Sequence, residues 1–123
     1  MKKLLFVLVA LIMVPVSAQE FKENVHYEVI SEQGTAKPEI KEFFSFYCIH
    51  CYRFEPVAAA MKEQYPQAFS KSHIVSHPTL ELLARGLAAA KLFKKEEPIS
   101  VSIYQRIHEQ NKQITTAEEL QAI

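Results

Sequence analysis

Cys48 and Cys51 are the only two cysteines in the chain, and Ile49 and His50 separate them. Two thiols at this C-x-x-C spacing can form a disulfide bond and exchange it with another thiol. The apolar, aromatic-rich residues 40–46 come just before the pair and predict a strand. An amphipathic pattern follows it and predicts a helix. The pair therefore lies where a strand ends and a helix begins.

This position predicts two unequal thiols. The helix is predicted from Cys51 to about Tyr65, with an apolar face of Phe54, Val57, Ala58, Met61 and Tyr65. A helix start carries backbone N–H groups without partners and the positive end of the helix dipole, and both favour a thiolate on Cys48. A protonated His50 would add to this effect. Cys51, one turn later, would point inward, so we expect an exposed, acidic Cys48 and a buried, resolving Cys51.

Three other interpretations of the pair remain open. A structural disulfide would close a very short loop and so would add little stability. A zinc site could recruit His73 and His77, but zinc prefers four ligands and the sequence has no second cysteine pair. The third interpretation is two unrelated buried thiols.

The N-terminus predicts a secretory signal peptide, residues 1–18. Lys2 and Lys3 precede an apolar run over residues 4–14, and small residues at 16–18 offer a cleavage site after Ala18. The alternative is a short N-terminal anchor, although the run is short for a membrane span. Export would put the C-x-x-C pair where disulfides persist, and there it can act as an oxidant or isomerase.

The composition argues against nucleic-acid binding and phosphate binding. The net charge is zero and no run of Lys and Arg appears, which argues against nucleic-acid binding. With only two glycines, the chain offers no glycine-rich phosphate loop. Its 123 residues suffice for one modest domain.

Other segments predict the elements around the pair. Residues 27–30 predict an edge strand, and residues 73–75 predict a strand parallel to residues 40–46 in a βαβ unit. Alternation in residues 40–46 puts one carboxylate on an otherwise apolar face, which consists of Ile40, Glu42, Phe44 and Phe46.

The chain after residue 77 predicts helices. One spans residues 80–94 with Thr79 as its cap, and the next begins at Pro98 with a core stripe of Ile99, Ile103, Tyr104 and Ile107. A capping box at residues 116–119 opens a last helix. The predicted β, β, α, β arrangement leaves one edge of the sheet open. We therefore expect the sequence to be incomplete at its C-terminus.

Residues 42–56, E-F-F-S-F-Y-C-I-H-C-Y-R-F-E-P, resemble the active-site segment of the DsbA family of periplasmic thiol:disulfide interchange proteins. The resemblance implies an α/β, thioredoxin-like fold, here incomplete, with an inserted helical domain. Residues 19–77 would be the N-terminal part of the thioredoxin-like domain, and residues 78–123 an incomplete helical insertion. The cis-proline loop that faces the cysteines in this family would be missing.

The resemblance also implies an activity. The resting form would hold a Cys48–Cys51 disulfide and donate it to newly exported polypeptides with free thiols in the periplasm. A membrane quinone reductase of the DsbB type would restore the disulfide. The protein would be a monomer without cofactor, metal or nucleic acid. A periplasmic reductase or isomerase on the same fold, or an inactive truncated fragment that binds unfolded chains, remain alternatives.

Five further residues receive roles from the resemblance. His50 would stabilise the Cys48 thiolate, and Ile49 replaces the proline that is usual in the dipeptide, which affects the redox potential. Glu42, Glu55 and Lys71 match charged positions under the active site and would tune charge and proton movement. Three ordinary surface charges are the alternative interpretation of that trio.

Overall fold

The computed structural model describes residues 19–123. The predicted signal peptide, residues 1–18, lies outside the described residues. The rest belongs to two compact units that divide after Gly34. In the first unit a single backbone bridge joins Glu23 and Tyr27. No strand forms there over residues 27–30, so the predicted edge strand is wrong: its side chains are exposed on both faces and no strand pairs with it.

Two parallel strands, β1 (Ile40–Phe44) and β2 (Phe69–His73), form the sheet of the second unit. Phe44 lies opposite His73 in the register. The parallel pair is as predicted, but both strands have different bounds. β1 ends two residues early because the chain turns, with the Cys48 N–H donating to the Ser45 carbonyl at 3.0 Å. β2 ends at His73, so the observed strand lies closer to the N-terminus than the predicted residues 73–75 and shares only His73 with them.

Helix α1 (Ile49–Gln64) connects the two strands and contains Pro56. It begins two residues before the predicted start because Cys48 itself caps it. Ala58 is buried, but most of the predicted apolar face is solvent-exposed, namely Phe54, Val57 and Tyr65. The predicted apolar face of α1 is therefore buried only in part among the described residues.

Helix α2 (Pro78–Leu92) follows the sheet. Its N-cap is His77, whose ring Nδ1 accepts the Thr79 N–H at 3.3 Å. The predicted cap, Thr79, is therefore already inside the helix, because Pro78 fits a first-turn position and lets the helix start there. The same helix ends two residues before the predicted Lys94, whose backbone is left-handed with φ 56°.

Helix α3 (Glu96–Tyr104) begins two residues before Pro98, the predicted first residue. It continues directly into a π-helix, Gln105–Glu109, which the sequence did not predict. The last helix, α4 (Ala117–Gln121), has the predicted capping box between Thr116 and Glu119. Among residues 19–123, no helix is long and apolar enough to cross a membrane.

The core of the second unit joins the sheet to the helical segment. Its buried apolar residues are Phe44, Phe46, Leu83, Ile103, Tyr104, Ile107 and Ile114. Phe46 and Tyr104 are in contact, with ring centroids 4.9 Å apart. At about 1.5–3 kcal/mol for each large buried side chain, this cluster holds the turn that carries the cysteines against the helices.

Candidate redox-active site

The Cys48 sulfur lies at the start of α1. Cys48 is the N-cap residue, and its Sγ accepts the Cys51 backbone N–H at 3.3 Å. Both cysteines are free thiols in this structure. A hydrogen bond from the Cys51 thiol, and then one from the Cys51 backbone N–H, lower the pKa of Cys48, and the His50 backbone N–H contributes in the same direction. The site therefore favours a thiolate on Cys48.

The surroundings of Cys51 shift its pKa in the opposite direction. Burial raises the pKa of Cys51, and its hydrogen bond with Cys48 raises it further. Its side chain packs against the apolar core. Both cysteines are nevertheless half-buried, so the expectation of an exposed Cys48 beside a buried Cys51 is wrong in degree. Cys48 is partly covered because its sulfur folds over the first turn of its own helix.

The two residues between the cysteines are exposed. His50 acts on the Cys48 sulfur through its backbone N–H, and the ring is not among the groups that move the pKa of Cys48. Ile49 has its own backbone N–H and begins α1. The structure thus gives the His50 main chain a role in the helix start, and a role for its imidazole stays a prediction.

Two histidines hold the peptide groups on either side of Phe46. The Phe46 N–H donates to His73 Nε2 at 3.2 Å, and the other ring nitrogen of His73, Nδ1, donates to the Ile74 carbonyl at 2.7 Å. The Phe46 carbonyl accepts from His108 Nε2 at 2.7 Å. The turn before Cys48 is therefore held by hydrogen bonds to His73, from the sheet, and to His108, from the helical segment.

Tyr47, directly before Cys48, is anchored in the same way. Its hydroxyl donates to the Ile114 carbonyl at 2.9 Å and accepts the Ile114 N–H at 3.0 Å. Its own N–H donates to Ser45 Oγ at 3.3 Å. Sequence reasoning missed His108, Ile114 and this role of Tyr47, because contacts 62 and 67 residues apart leave no local pattern.

The predicted charged trio comes together around Lys71. Lys71 Nζ lies 3.4 Å from Glu42 Oε2 and forms a shorter contact with Glu55. The side chains are 21% exposed for Lys71, 12% for Glu42 and 32% for Glu55. Glu42 is among the groups that raise the pKa of Cys51. These residues are thus not ordinary surface charges, and we refer to them as the Glu42–Lys71–Glu55 cluster.

Tyr104 brings a fourth polar group toward this cluster. The residue is 2% exposed, and among the described residues its hydroxyl has no hydrogen-bond partner. Burial raises the pKa of Tyr104 far above its ordinary value, and the Glu55 charge and Cys51 raise it further. The sequence identified Tyr104 only as a core residue. In the structure both Glu55 and Cys51 are near enough to act on its hydroxyl.

The histidines that the zinc interpretation needed have other partners. Both ring nitrogens of His73 are engaged with backbone groups, and His77 caps α2. Within the part of the chain that the structure describes, no three His, Cys, Asp or Glu side chains form a group that could hold a metal.

Acid is expected to destabilise the fold through His73. Its Nε2 accepts a hydrogen bond while Nδ1 donates one, so the ring must be neutral. Burial lowers the pKa of His73 below its ordinary 6.5, although the Ile74 carbonyl acts in the opposite direction. The unfolded chain therefore binds more protons, and stability that is present above about pH 6.5 is lost as the pH falls through the folded pKa.

Urea unfolding at about pH 7.5 and about pH 5.5 measures this effect. The wild type should lose more stability between the two values than His73→Gln, which has no titrating ring. His26→Gln is the matched control, because His26 is exposed and its ring accepts the local Lys22 N–H. An equal pH response in the wild type and His73→Gln would contradict the prediction.

Comparison with known proteins gives one consistent result. No family model matches the chain. DsbA, a thiol:disulfide interchange protein, from Yersinia pestis is 31% identical over 114 residues, which are 87% of this chain and 55% of that protein. DsbA from Pectobacterium carotovorum is 41% identical over 71 residues, or 54% of this chain and 34% of that protein. The chain thus spans about half or less of the length of these relatives.

Solved structures show the same likeness. The oxidoreductase NmDsbA1 from Neisseria meningitidis is 25% identical with a TM-score of 0.62, covering 76% of this chain and 50% of that one. A cysteine-to-serine variant of Proteus mirabilis DsbA, with a non-covalently bound peptide, is 24% identical with a TM-score of 0.67. The matched region covers 85% of this chain and 58% of the variant. The predicted thioredoxin-like α/β fold class is confirmed.

Proposed function

Because the chain is a relative of the DsbA-type thiol:disulfide interchange proteins, we propose that it is a protein disulfide oxidoreductase acting through Cys48 and Cys51. The observation that carries this proposal is the position of Cys48 at the helix N-cap, where the Cys51 thiol and N–H lower its pKa. A stabilised thiolate is a good leaving group. It also favours the reduced form of the pair, which makes the disulfide an oxidant.

The exchange has two steps. A substrate thiolate attacks Cys48 Sγ, the Cys48–Cys51 bond breaks, and its electron pair leaves on Cys51 as a thiolate. The substrate's second thiolate then attacks the substrate sulfur of this mixed disulfide and releases Cys48 as a thiolate. The substrate dithiol has lost two electrons to form its disulfide. The chain has gained them as two sulfur anions, of which Cys51 takes up a proton because burial raises its pKa.

The Glu42–Lys71–Glu55 cluster is proposed to modulate the second sulfur. Glu42 acts on Cys51 and favours its protonated thiol. Lys71 partly neutralises the two carboxylates. An open cleft of about 520 Å³ is lined by Glu55 and Lys71, so protons can reach the cluster from solvent. His50 and Ile49, exposed between the cysteines, are proposed to adjust the Cys48 side of the pair.

The proposed substrates are exported polypeptides with two free thiols, and the proposed compartment is the periplasm. The predicted signal peptide and the relation to DsbA support both. A membrane quinone reductase of the DsbB type is the proposed source of new disulfides, and we propose that the chain acts as a monomer. No cofactor is required, because both steps exchange sulfur–sulfur bonds only.

Oxidation of a reduced peptide tests the proposal. The purified, oxidised chain is mixed with a peptide that contains two cysteines, and the reaction is quenched with acid and analysed by mass. We expect one peptide disulfide for each Cys48–Cys51 disulfide consumed. The alkylated chain, with both sulfurs blocked, is the control. A peptide that stays reduced would overturn the oxidase activity. The redox potential of the Cys48–Cys51 pair is measured by equilibration with glutathione, and a value as reducing as that of thioredoxin would indicate a reductase.

A further inference from the structure

His108 contacts the chain on both sides of the cysteine pair. Its Nε2 donates to the carbonyl of Phe46, two residues before Cys48. Its ring stacks on Tyr52, the residue directly after Cys51, with centroids 5.1 Å apart and an angle of 5° between the planes. One side chain from outside the sheet thus bridges the two flanks of the C-x-x-C segment.

The backbone around His108 is unusual. Residues Gln105–Glu109 form a π-helix, in which the Gln110 N–H reaches the Gln105 carbonyl at 3.0 Å. The Lys112 N–H then bonds the Arg106 carbonyl at 2.9 Å, across a left-handed Asn111 with φ 54°. Short π-helices are rare and occur often at functional sites. Here the π-helix carries the imidazole that reaches the turn before Cys48.

We propose that His108 is a positioning residue for the redox pair, holding the Phe46 peptide and the Tyr52 ring so that the Cys48 sulfur stays against the Cys51 N–H. This inference rests on the proposed function and adds a residue to it. Among the described residues, the contacts of His108 are with Phe46, Tyr52 and Tyr104, and no hydrogen bond joins it to either sulfur. It acts through the turn at residues 45–48, whose geometry decides whether the Cys48 side chain can cap α1.

The physical consequence is a measurable change at Cys48. Without the His108 donor, the carbonyl of the buried Phe46 loses a hydrogen bond and the turn gains freedom. The Cys48 sulfur then spends less time at the Cys51 N–H, which is one of the groups that lower the pKa of Cys48. The pKa of Cys48 should therefore rise toward its ordinary value, while the fold keeps its other anchors, such as the Tyr47–Ile114 pair.

Two variants separate the two contacts of His108. His108→Phe keeps an aromatic ring for Tyr52 but has no donor, and His108→Gln keeps an N–H donor but has no ring. We expect His108→Phe to raise the pKa of Cys48 by about half a pH unit, which is about threefold less thiolate at a fixed pH below it. His108→Gln should recover most of this. His26→Gln, at an exposed site in the first unit, should match the wild type.

Thiolate absorbance against pH on the reduced chain gives the readout, and far-UV circular dichroism reports folding. An unchanged pKa of Cys48 in folded His108→Phe would overturn the proposal, as would an equal rise in both variants. If His108→Phe does not fold, NMR of the wild type decides: a protected His108 Nε2 proton supports the role, and a freely exchanging one overturns it. None of these readouts needs oxidase activity, so they stand apart from the test of the proposed function.

Discussion

With Cys51 replaced by serine, the chain is expected to stop at a mixed disulfide on Cys48. Glutathione disulfide is a suitable probe: the Cys48 thiolate attacks one of its sulfurs and releases a glutathione thiolate. In the wild type Cys51 then displaces the second glutathione and closes the Cys48–Cys51 bond. Cys51→Ser has no second thiol, so the glutathione adduct should become the dominant species. Acid quenching followed by mass spectrometry measures the adduct in both proteins.

The opposite variant, Cys48→Ser, tests the asymmetry of the pair. Hydrogen bonds from Cys51 lower the pKa of Cys48, whereas burial raises that of Cys51. At neutral pH the remaining Cys51 is therefore mostly protonated, and it should react with glutathione disulfide about tenfold more slowly than Cys48 does in Cys51→Ser. Equal rates in the two variants would show that Cys48 is not the preferred entry sulfur.

The asymmetry of the cysteines was predictable because its cause is local. A cysteine just before a helix lies beside the free N–H groups of the first turn, and a second cysteine three residues later belongs to that turn. The Thr116 capping box was predictable for the same reason. In both places the interacting groups are neighbours in the sequence, so residue type and spacing are sufficient.

The anchors of the redox turn could not be predicted in this way. The rings of His73 and His108 meet at Phe46 only because the sheet and the helical segment pack together. The π-helix escaped prediction because one wider turn hardly changes the spacing of apolar residues, and Ile107 is buried as expected from the α-helical stripe. Non-local hydrogen bonds have no sequence signature of their own.

The burial of individual side chains was also difficult to predict from the sequence. An apolar stripe shows that a helix has a face to bury, but not which of its residues the neighbouring elements will cover. Phe54 and Val57 belong to the predicted stripe of α1 and are exposed, while Ala58 is buried. The carboxylate on the inward face of β1 was a better signal: Glu42 is mostly buried because Lys71, from the neighbouring strand, neutralises it.

Lys71→Met is expected to be the most damaging change in the charged cluster. It removes the cation that two mostly covered carboxylates share, Glu42 and Glu55, while its length and apolar stem are kept. Removing one partner of a fully buried pair costs about 3–5 kcal/mol, and partial exposure reduces this to about 2 kcal/mol at neutral pH. The cation–π contact with the Phe44 ring, at 4.5 Å, is lost as well. Urea unfolding measures the difference in free energy.

Lys62→Met is the matched control, because the Lys62–Glu97 pair has a distance of 3.2 Å but side chains that are 59% and 75% exposed. It should cost less than about 0.5 kcal/mol. In Lys71→Met the uncompensated charge should raise the pKa of Cys51 further, since Glu42 already acts in that direction. Equal losses in the two variants would mean that Lys71 is only a surface charge, and that the proposed control of Cys51 by the cluster is wrong.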